Sequence, residues 1–416
     1  MNFSKMRVLV LGNGESGRGA GYALEKLGAE VTVVSSDKLP QEIRNSDMVV
    51  VSPGIRPEHP IFDYAAKRGL PLIGETGLGA MINRAPVIGV TGTNGKTTVV
   101  SMLGAIYSAT CISAAVCGNI GKSFARTVVD KQYDRVILEL SSFQLTHAAP
   151  LKVHIACLLN VASDHIDYHG SYDEYLKAKL HISDGQTKDD YFLVPADLDL
   201  HGISSSPRVL REGKDFRTAD GYLTVAGRRI MPVSELAVSG AHNVKNALFA
   251  AAAAYIDGID ENAIAEGLRG FRTGAHRISF VGEYNGTCFY NDSKGTNVSA
   301  TLAAAECMRG NTALIAGGSD KACDYGELFG NLPPYVTAVF LTGGNAEKMA
   351  DAARIAGRRN VVVCADLSEC VRLSSRGGYD NVLFSPASAS FDRYANYAER
   401  GEVFEREVKN LFSGEN

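Results

Sequence analysis

The chain contains the glycine-rich stretch Gly92-Thr93-Asn94-Gly95-Lys96-Thr97-Thr98. This stretch follows the apolar run from Val87 to Val90, and the residues after it suit a helix. In such a turn successive backbone amides hold the β and γ phosphates of a nucleotide, the lysine neutralises their charge and the next hydroxyl binds Mg²⁺. Val90 stands where the longer form of the pattern has its first glycine. The stretch therefore predicts a triphosphate-binding loop with ATP as its ligand.

Short β-branched runs alternate with alanine-rich stretches on both sides of this loop. They include Arg7 to Leu11, Val31 to Val34, Val136 to Leu140, His154 to Leu159, Ala313 to Ile315, Val336 to Leu341, Val361 to Val363 and Val382 to Phe384. The alternation predicts an α/β fold built on parallel sheets. Breaks at Asn83-Arg84-Ala85-Pro86 and Phe271-Arg272-Thr273-Gly274 predict three domains, residues 1–85, 86–273 and 274–416. We expect a Rossmann-like first and third domain and a central domain of the P-loop ATPase type.

Composition narrows the class of partner. The 416 residues carry 42 Lys and Arg against 46 Asp and Glu, a net charge of -4, so there is no electrostatic reason to expect nucleic acid or an acidic membrane. No apolar run reaches the roughly 18 residues that a membrane span needs. The eight cysteines include no Cys-x-x-Cys pair, which argues against a zinc site and a disulfide framework. We expect a cytoplasmic protein that acts on small molecules.

A second glycine-rich turn lies near the start of the chain. Gly12-Asn13-Gly14-Glu15-Ser16-Gly17 separates a strand from a helix, so its amides can hold a phosphate. An NAD site usually has an acidic residue at the end of the next strand, but here that strand ends in Ser35-Ser36, and Asp37 comes one residue late. The turn is therefore expected to hold the diphosphate of another nucleotide. The alternative is a turn that needs glycine only for close packing of strand and helix.

Several polar groups follow strands of the predicted central domain. Glu139 ends a strand in Glu139-Leu140-Ser141-Ser142-Phe143-Gln144, where it suits a magnesium ligand or a solvated carboxylate. The run from Asn160 to His169 holds two Asp and two His, which suits Mg²⁺ or Mn²⁺ bound to nucleotide phosphates, or else a polar loop. By spacing alone, Lys177 and Lys179 are solvated surface lysines of a helix.

Polar residues of the later chain predict nucleotide contacts and a second pocket. Asn243 and Asn246 precede an alanine-rich helix and either hold a base or ribose or cap that helix. Arg277 either reaches a phosphate or is solvated. Asp292, Lys294 and Thr296 in Asn291-Asp292-Ser293-Lys294-Gly295-Thr296-Asn297 suit a substrate carboxylate and nearby phosphates, whereas a helix cap explains only Asn297. Gly317-Gly318-Ser319-Asp320-Lys321 and Ser385-Pro386-Ala387-Ser388-Ala389-Ser390-Phe391-Asp392 follow later strands. Together these segments predict a cationic, hydroxyl-rich pocket.

The order of these motifs over essentially the whole chain resembles the Mur ligases, and within them the members that add D-glutamate. The resemblance implies an ATP-dependent, amide-forming ligase of peptidoglycan precursor synthesis that works through an acyl phosphate. Its substrates would be UDP-N-acetylmuramoyl-L-alanine, bound at its UDP end by the first domain, and D-glutamate, bound by the third. The resemblance also implies two Mg²⁺ ions, with Mn²⁺ as a substitute, and a monomer without nucleic-acid or membrane partners.

The resemblance assigns roles to individual residues. Catalytic roles fall to Lys96, His165 and Lys179. ATP contacts fall to Gly92, Thr93, Asn94, Gly95, Lys96, Thr97, Thr98, Asn243, Asn246, Arg277, Asp292 and Lys294. Contacts to the UDP substrate fall to Gly14, Glu15, Ser16, Gly17, Ser36, Asn119 and His165, and contacts to D-glutamate to Thr296, Lys321, Ser390 and Tyr397. Metal ligands would be Thr97, Glu139, His165 and Lys179 carbamylated by CO₂. The chain departs from the family pattern at Ala162-Ser163, where relatives often have Thr and an acid, and at Tyr397, where Phe is common.

Two other functions compete with this interpretation. A folate polyglutamate synthase would share the loop at Gly92 but would lack a first domain like residues 1–84. A regulatory or redox protein would use the turn at Gly12 for NAD, and would leave Asp292 to Thr296 and Ser385 to Ser390 without a role. An NAD-dependent absorbance change, or nucleotide hydrolysis without substrate, would favour the second alternative.

Overall fold

The computed structural model describes residues 2–149, 151–200, 203, 205–238, 240–272, 276–320 and 324–413. Contacts between Cα atoms divide the chain into two compact units. Unit 1 comprises Met1–Ala237 and Asn243–Phe271, and unit 2 comprises Val238–His242 and Arg272–Asn416.

Unit 1 begins with a four-stranded parallel sheet of order β2-β1-β3-β4. Its strands are β1 (Arg7–Leu11), β2 (Glu30–Val34), β3 (Met48–Val51) and β4 (Leu72–Gly74). Its helices are α1 (Glu15–Lys26), α2 (Pro60–Arg68) and α3 (Glu75–Ile82). Every residue of β3 is buried, as expected for an apolar strand inside a parallel sheet that is covered on both faces.

A six-stranded parallel sheet of order β10-β9-β8-β5-β7-β6 forms the centre of unit 1. Its strands are β5 (Val87–Thr91), β6 (Ala114–Gly118), β7 (Arg135–Glu139), β8 (Ile155–Leu158), β9 (Tyr191–Val194) and β10 (Arg208–Arg211). Its helices are α4 (Lys96–Ser108), α5 (Phe124–Asp130), α6 (Ser142–Leu145), α7 (Ile166–His169) and α8 (Tyr172–Leu180). Because β5 lies between β7 and β8, the loops that follow these three strands meet at one edge of the sheet.

Unit 1 also contains a small antiparallel sheet that the sequence analysis did not predict. Its strands are β11 (Phe216–Ala219), β12 (Tyr222–Val225) and β13 (Arg228–Pro232). Two helices follow, α9 (Ala241–Ile256), whose first two residues belong to unit 2, and α10 (Glu261–Gly270).

Unit 2 contains a six-stranded sheet of order β14-β15-β19-β16-β17-β18. Its strands are β14 (Ser279–Tyr284), β15 (Thr287–Asn291), β16 (Thr312–Ala316), β17 (Val336–Leu341), β18 (Val361–Val363) and β19 (Asn381–Phe384). Its helices are α11 (Val298–Glu306), α12 (Gly326–Asn331), α13 (Ala346–Ile355), α14 (Leu367–Ser374) and α15 (Tyr397–Ser413). Only β14 pairs antiparallel, so the loops after β15, β19, β16 and β17 share one edge.

The predicted α/β class with parallel sheets is confirmed by this architecture. Among the helices of the described residues, none combines the length and apolar character needed to cross a membrane. All seven cysteines in the described part of the chain are free thiols. The division into three domains, at residues 1–85, 86–273 and 274–416, stays a prediction.

Candidate active site

Two glycines and the hydrogen bonds of Asn160 and Lys96 fix the conformation of the loop after β5. Gly92 and Gly95 have φ angles of +152° and +87°, a region that favours glycine. The side chain of Asn160, just beyond β8, accepts from Asn94 N at 2.9 Å and donates to Asn94 O at 3.0 Å. Lys96 Nζ donates to the carbonyl oxygens of Gly92 at 2.7 Å and Thr93 at 2.8 Å. The lysine therefore lies folded over the loop, with its charge where phosphates would be held.

Glu139 ends β7 beside this loop, paired in register with Val90. Its side chain is only 2% exposed, so the alternative of a solvated carboxylate is wrong. Oε1 accepts from Asn119 Nδ2 at 3.0 Å, whereas Oε2 is buried without a hydrogen-bond partner. A buried carboxylate oxygen is costly unless something compensates its charge. The orphaned oxygen thus fits a divalent cation, and Asn119 fixes the direction of the carboxylate.

His165 lies at the start of α7 in a left-handed conformation with φ of 54°. Its backbone N–H donates to Asp164 Oδ1 at 3.0 Å, and its ring packs edge-on against Phe143 with centroids 4.8 Å apart. Phe143 belongs to α6, which begins with a capping box between Ser141 and Gln144. The Ser-Ser-Phe-Gln segment therefore places the ring of Phe143 against the imidazole of His165.

Lys179 lies inside unit 1, with 1% of the residue exposed. The solvated position predicted from spacing is therefore wrong for Lys179, although Lys177 is exposed as predicted. Nζ of Lys179 is 4.3 Å from the ring centroid of Tyr175, whose hydroxyl is 3.1 Å from Thr93 Oγ1 in the phosphate loop. Burial, with the nearby charge of Lys96, lowers the pKa of Lys179 to about 6. The amine is thus largely uncharged at neutral pH.

Asn243 and Asn246 lie within α9, because that helix begins at Ala241 and not after them as predicted. Neither is its N-cap residue, so the capping alternative is wrong. Both side chains are buried. Asn246 borders the phosphate loop, since a Cβ added to Gly95 would lie 2.4 Å from Asn246 Oδ1. The amide of Asn246 is therefore close enough to the loop to contact a nucleotide bound there.

The first glycine-rich turn serves packing at two positions. A Cβ on Gly12 would lie 2.4 Å from Ser52 Oγ, and one on Gly17 would lie 1.8 Å from Gly12 O. A Cβ on Gly14 would meet no atom within 4 Å. Glu15 is exposed and pairs with Arg18 at 3.7 Å, and Ser16 is half-buried beside it. Packing therefore explains two glycines and leaves the surface at Gly14 open to a ligand.

Ser36, the other predicted contact to the UDP substrate after β2, lies in a tight local turn. Its hydroxyl donates to Lys38 O at 2.9 Å, and its carbonyl oxygen is 3.0 Å from His59 Nε2. The backbone of this segment is thereby tied to the start of α2.

Unit 2 brings together the segments after β15 and β19. Asp292 is buried and accepts from Ser385 Oγ at 2.7 Å. Burial raises the pKa of Asp292 to about 7, although the positive charges of Arg277 and Arg400 oppose the rise. Lys294 Nζ is 4.8 Å from the ring centroid of Tyr397, the first residue of α15. Asp292, Lys294 and Tyr397 therefore occupy one region of unit 2.

The other predicted residues of this pocket differ in exposure. Ser390 is buried, while Thr296 and Arg277 are half-buried. Lys321 lies outside the described residues. Asn297 caps α11 by accepting from Ala300 N at 2.9 Å, as expected.

Sequence reasoning assigned no role to Asn160, Tyr175 or Arg400. Arg400 is 2% exposed and donates to Ser293 O at 2.9 Å and Ala389 O at 3.0 Å, so it ties two segments of the predicted pocket together. Burial lowers the pKa of Arg400 to about 10. Of these three residues, only Asn160 could have been identified from the sequence, because it follows a strand and begins a polar run. In the described ranges, no three His, Cys, Asp or Glu side chains are grouped closely enough to hold a metal ion by themselves.

Comparison with known proteins identifies relatives over nearly the whole chain. Residues 90–254 match the family described as Mur ligase middle domain, and residues 276–388 match Mur ligase, glutamate ligase domain. A protein of Acidobacterium capsulatum named UDP-N-acetylmuramoylalanine--D-glutamate ligase is 37% identical, over 97% of this chain and 96% of the relative. Proteins with the same name from Streptococcus suis and Rubrobacter xylanophilus are 35% and 38% identical, over 97% and 94% of this chain and 98% and 90% of their own lengths.

Solved structures show the same fold at lower sequence identity. MurF from Acinetobacter baumannii is 18% identical with a TM-score of 0.63, over 89% of this chain and 86% of its own. UDP-N-acetylmuramate-alanine ligase MurC from Thermotoga maritima is 17% identical with a TM-score of 0.62, over 99% and 100%. The motifs at the sheet edges, the fold and the identity to relatives over nearly the whole length agree, and the chain belongs to the Mur ligase family.

Proposed function

We propose that this chain is the ATP-dependent ligase that joins D-glutamate to UDP-N-acetylmuramoyl-L-alanine in peptidoglycan precursor synthesis. Three features of unit 1 support ATP use: the phosphate loop, the orphaned carboxylate oxygen of Glu139 and the buried amine of Lys179, whose pKa is lowered to about 6. The identity of the substrates is supported by relatives that carry this name over nearly their full length. The observation that carries the proposal is the phosphate loop beside Glu139 at one sheet edge.

The reaction needs a phosphoryl transfer because forming an amide from a carboxylate and an amine in water is uphill. ATP would convert the carboxylate of the L-alanyl substrate to an acyl phosphate. In this step Lys96 spreads the charge on the transferring phosphoryl group, and the loop amides position it. Gly92 to Thr98, with Asn243 and Asn246 of α9, would bind the nucleotide. Asn160 would keep the loop in the binding conformation.

We assign the metal ligands to Thr97, Glu139, His165 and Lys179. Lys179 can join this set only after its amine has reacted with CO₂ to give a carbamate, and its low pKa favours that reaction because only the uncharged amine is nucleophilic. Two Mg²⁺ ions, or Mn²⁺ in their place, would supply Lewis-acid stabilisation of phosphate charge.

We assign the binding of D-glutamate to unit 2, through Thr296, Lys321, Ser390 and Tyr397. Asp292, Lys294 and Arg277 would contact ATP from the same unit. The free amine of D-glutamate would then attack the acyl carbon, and phosphate would leave.

We assign the UDP end of the other substrate to the region of Gly14, Glu15, Ser16, Gly17 and Ser36. Asn119 and His165 would contact the substrate nearer the reacting carboxylate. The domains would be residues 1–85 for the UDP substrate, 86–273 for ATP and 274–416 for the amino acid. We further propose a monomer that acts in the cytoplasm, where nucleotide-linked precursors and ATP are available.

The test is phosphate release from ATP, with product mass, in the presence of UDP-N-acetylmuramoyl-L-alanine and D-glutamate, L-glutamate or no amino acid. We expect release that depends on D-glutamate and a product that is heavier by one glutamyl residue. Lys96→Ala should lower the rate by about 10²- to 10³-fold, as loss of one preorganised electrostatic donor does. Turnover with L-glutamate alone would overturn the stereochemistry, and turnover with neither would overturn the substrate assignment.

A further inference from the structure

Asn345 directly precedes α13, at the position where asparagine commonly caps a helix, yet its side chain makes no capping bond. The residue is 2% exposed. Its Oδ1 accepts from Gly318 N at 2.8 Å, and its Nδ2 donates to Tyr325 OH at 2.7 Å and to Ser388 Oγ at 2.7 Å. The amide therefore uses both of its donors and one acceptor on residues that are distant from it in sequence.

The partners of Asn345 belong to two segments at the carboxyl edge of the unit 2 sheet. Gly318 and Tyr325 follow β16, whereas Ser388 follows β19. Tyr325 OH and Ser388 Oγ are themselves 3.3 Å apart, so the two hydroxyls and the amide of Asn345 are all in mutual contact. In sequence, Gly318 lies three residues before Lys321, and Ser388 lies two residues before Ser390.

The two segments are also close along their backbones. Ser319 N donates to Ala389 O at 2.9 Å, and a Cβ on Gly318 would lie 2.2 Å from the same oxygen. Asn345 completes this contact from a third segment, after β17, because its own N–H donates to Gly318 O at 3.1 Å. Asn345 thus adds side-chain hydrogen bonds to two segments that also bond to each other through their backbones.

We propose that Asn345 is a positioning residue of the amino-acid pocket, which fixes the segment that carries Ser390 relative to the segment after β16 and so favours D-glutamate over its enantiomer. The inference rests on the proposed function. A pocket distinguishes enantiomers only if its groups stand at fixed separations, and misplacement by about 1 Å can change a rate by roughly 100-fold. The hydroxyls of Ser388 and Tyr325 can rotate, so the rigid amide sets their direction.

The test compares Asn345→Ala with the parent enzyme in steady-state phosphate release, varying one substrate at a time. We expect the KM for D-glutamate to rise about tenfold or more, as for loss of an outer positioning group. The preference in kcat/KM for D- over L-glutamate should fall. The KM values for ATP and the UDP substrate should stay within about twofold, because their binding does not depend on this spacing.

A matched control and a second variant sharpen this test. Asn360→Ala removes an exposed asparagine of unit 2 whose Nδ2 donates to Thr337 O at 3.2 Å, and it should leave every KM unchanged. Ser388→Ala removes one partner of the amide. Combined with Asn345→Ala it should add little to the effect of either change alone, because both act through one network.

A folded Asn345→Ala enzyme with an unchanged KM for D-glutamate would overturn the inference. An equal rise in all three KM values would also overturn it, because that is the result of general loosening. If Asn345→Ala does not fold, Ser388→Ala and Tyr325→Phe each remove one hydrogen bond and apply the same criteria. A parent enzyme without D-glutamate-dependent turnover would instead refute the proposed function, and the inference with it.

Discussion

Lys179 shows how the surroundings of a single residue change its chemistry. Two residues apart on α8, Lys177 is exposed and Lys179 is buried beneath the phosphate loop, against Tyr175. The proposed carbamate needs an uncharged amine, and the lowered pKa of the buried Lys179 favours that form. A substitution of Lys177 can therefore serve as the control for a substitution of Lys179 on the same helix.

We predict that Lys179→Ala lowers the rate of D-glutamate-dependent phosphate release at least about 100-fold, because a metal ligand is lost. A short carboxylate such as acetate should restore part of that rate by taking the place of the carbamate. Lys177→Ala should leave the rate unchanged. Full activity of the parent enzyme in buffer depleted of CO₂ and bicarbonate would count against the carbamate.

Glu75, the first residue of α3, is a buried carboxyl group that the sequence analysis did not single out. It is 1% exposed, and its Oε1 accepts from Ala125 N in α5 at 2.7 Å, while Oε2 has no hydrogen-bond partner. Burial raises the pKa of Glu75 from 4.5 to about 7. The folded state therefore binds this proton more tightly than the unfolded state does.

A raised carboxyl pKa makes the folded state lose stability as the pH rises. The contribution is complete below pH 4.5 and is lost by about pH 7. Between pH 5 and pH 8 we expect the parent to lose about 2 to 3 kcal/mol of unfolding free energy relative to Glu75→Gln, which cannot ionise. Urea unfolding followed by circular dichroism measures this, since the chain has no tryptophan. Glu25→Gln, at an exposed position of α1, is the control, and parallel pH profiles of Glu75→Gln and the parent would refute the prediction.

At the scale of structural elements, the turn from β5 into α4 depends on glycine for two separate reasons. Gly95 has a φ of +87°, and a Cβ there would lie 2.4 Å from Asn246 Oδ1. Gly258, after α9, has a φ of +88° but would place its Cβ in open space. The two positions share the conformational strain and differ in the steric conflict.

We predict that Gly95→Ala weakens ATP binding about tenfold or more, because the loop or Asn246 must move to relieve a conflict that costs about 1 to 3 kcal/mol. Gly258→Ala should pay only the left-handed strain of about 1 kcal/mol and keep the parent affinity. Titration calorimetry with ATP measures both dissociation constants. Equal affinities for the two variants would show that the loop tolerates a side chain at Gly95.

At the scale of the whole molecule, the chain contains two compact units with separate cores. Leu103 on α4 belongs to unit 1 and Leu314 on β16 to unit 2, and both are fully buried. Truncating a buried leucine to alanine costs about 2 to 5 kcal/mol, because packing contacts are lost and a cavity remains.

We predict that scanning calorimetry resolves two unfolding transitions. Leu103→Ala should lower the temperature of one, and Leu314→Ala that of the other. A single transition that both variants shift equally would show that the two units unfold as one cooperative body.

Much of the fold follows from local sequence. The strands around the phosphate loop were predicted to within about two residues, because their apolar runs are bounded by glycine and polar residues. The start of α9 was placed too late, since alanine content marks the middle of a helix better than its first turn. The sheet of β11, β12 and β13 was missed because its strands are short and do not alternate strictly between apolar and polar residues.

The α/β class, the family and the phosphate loop follow from local sequence, because a strand, a turn and a helix each occupy consecutive residues. Only the folded chain shows that burial lowers the pKa of Lys179, that Glu139 keeps a buried oxygen without a hydrogen-bond partner and that Asn345 joins three segments of unit 2. The physical reason is that the charge state of a group depends on its desolvation and on its neighbours. Both are set by residues distant in the chain, which spacing along the sequence does not specify.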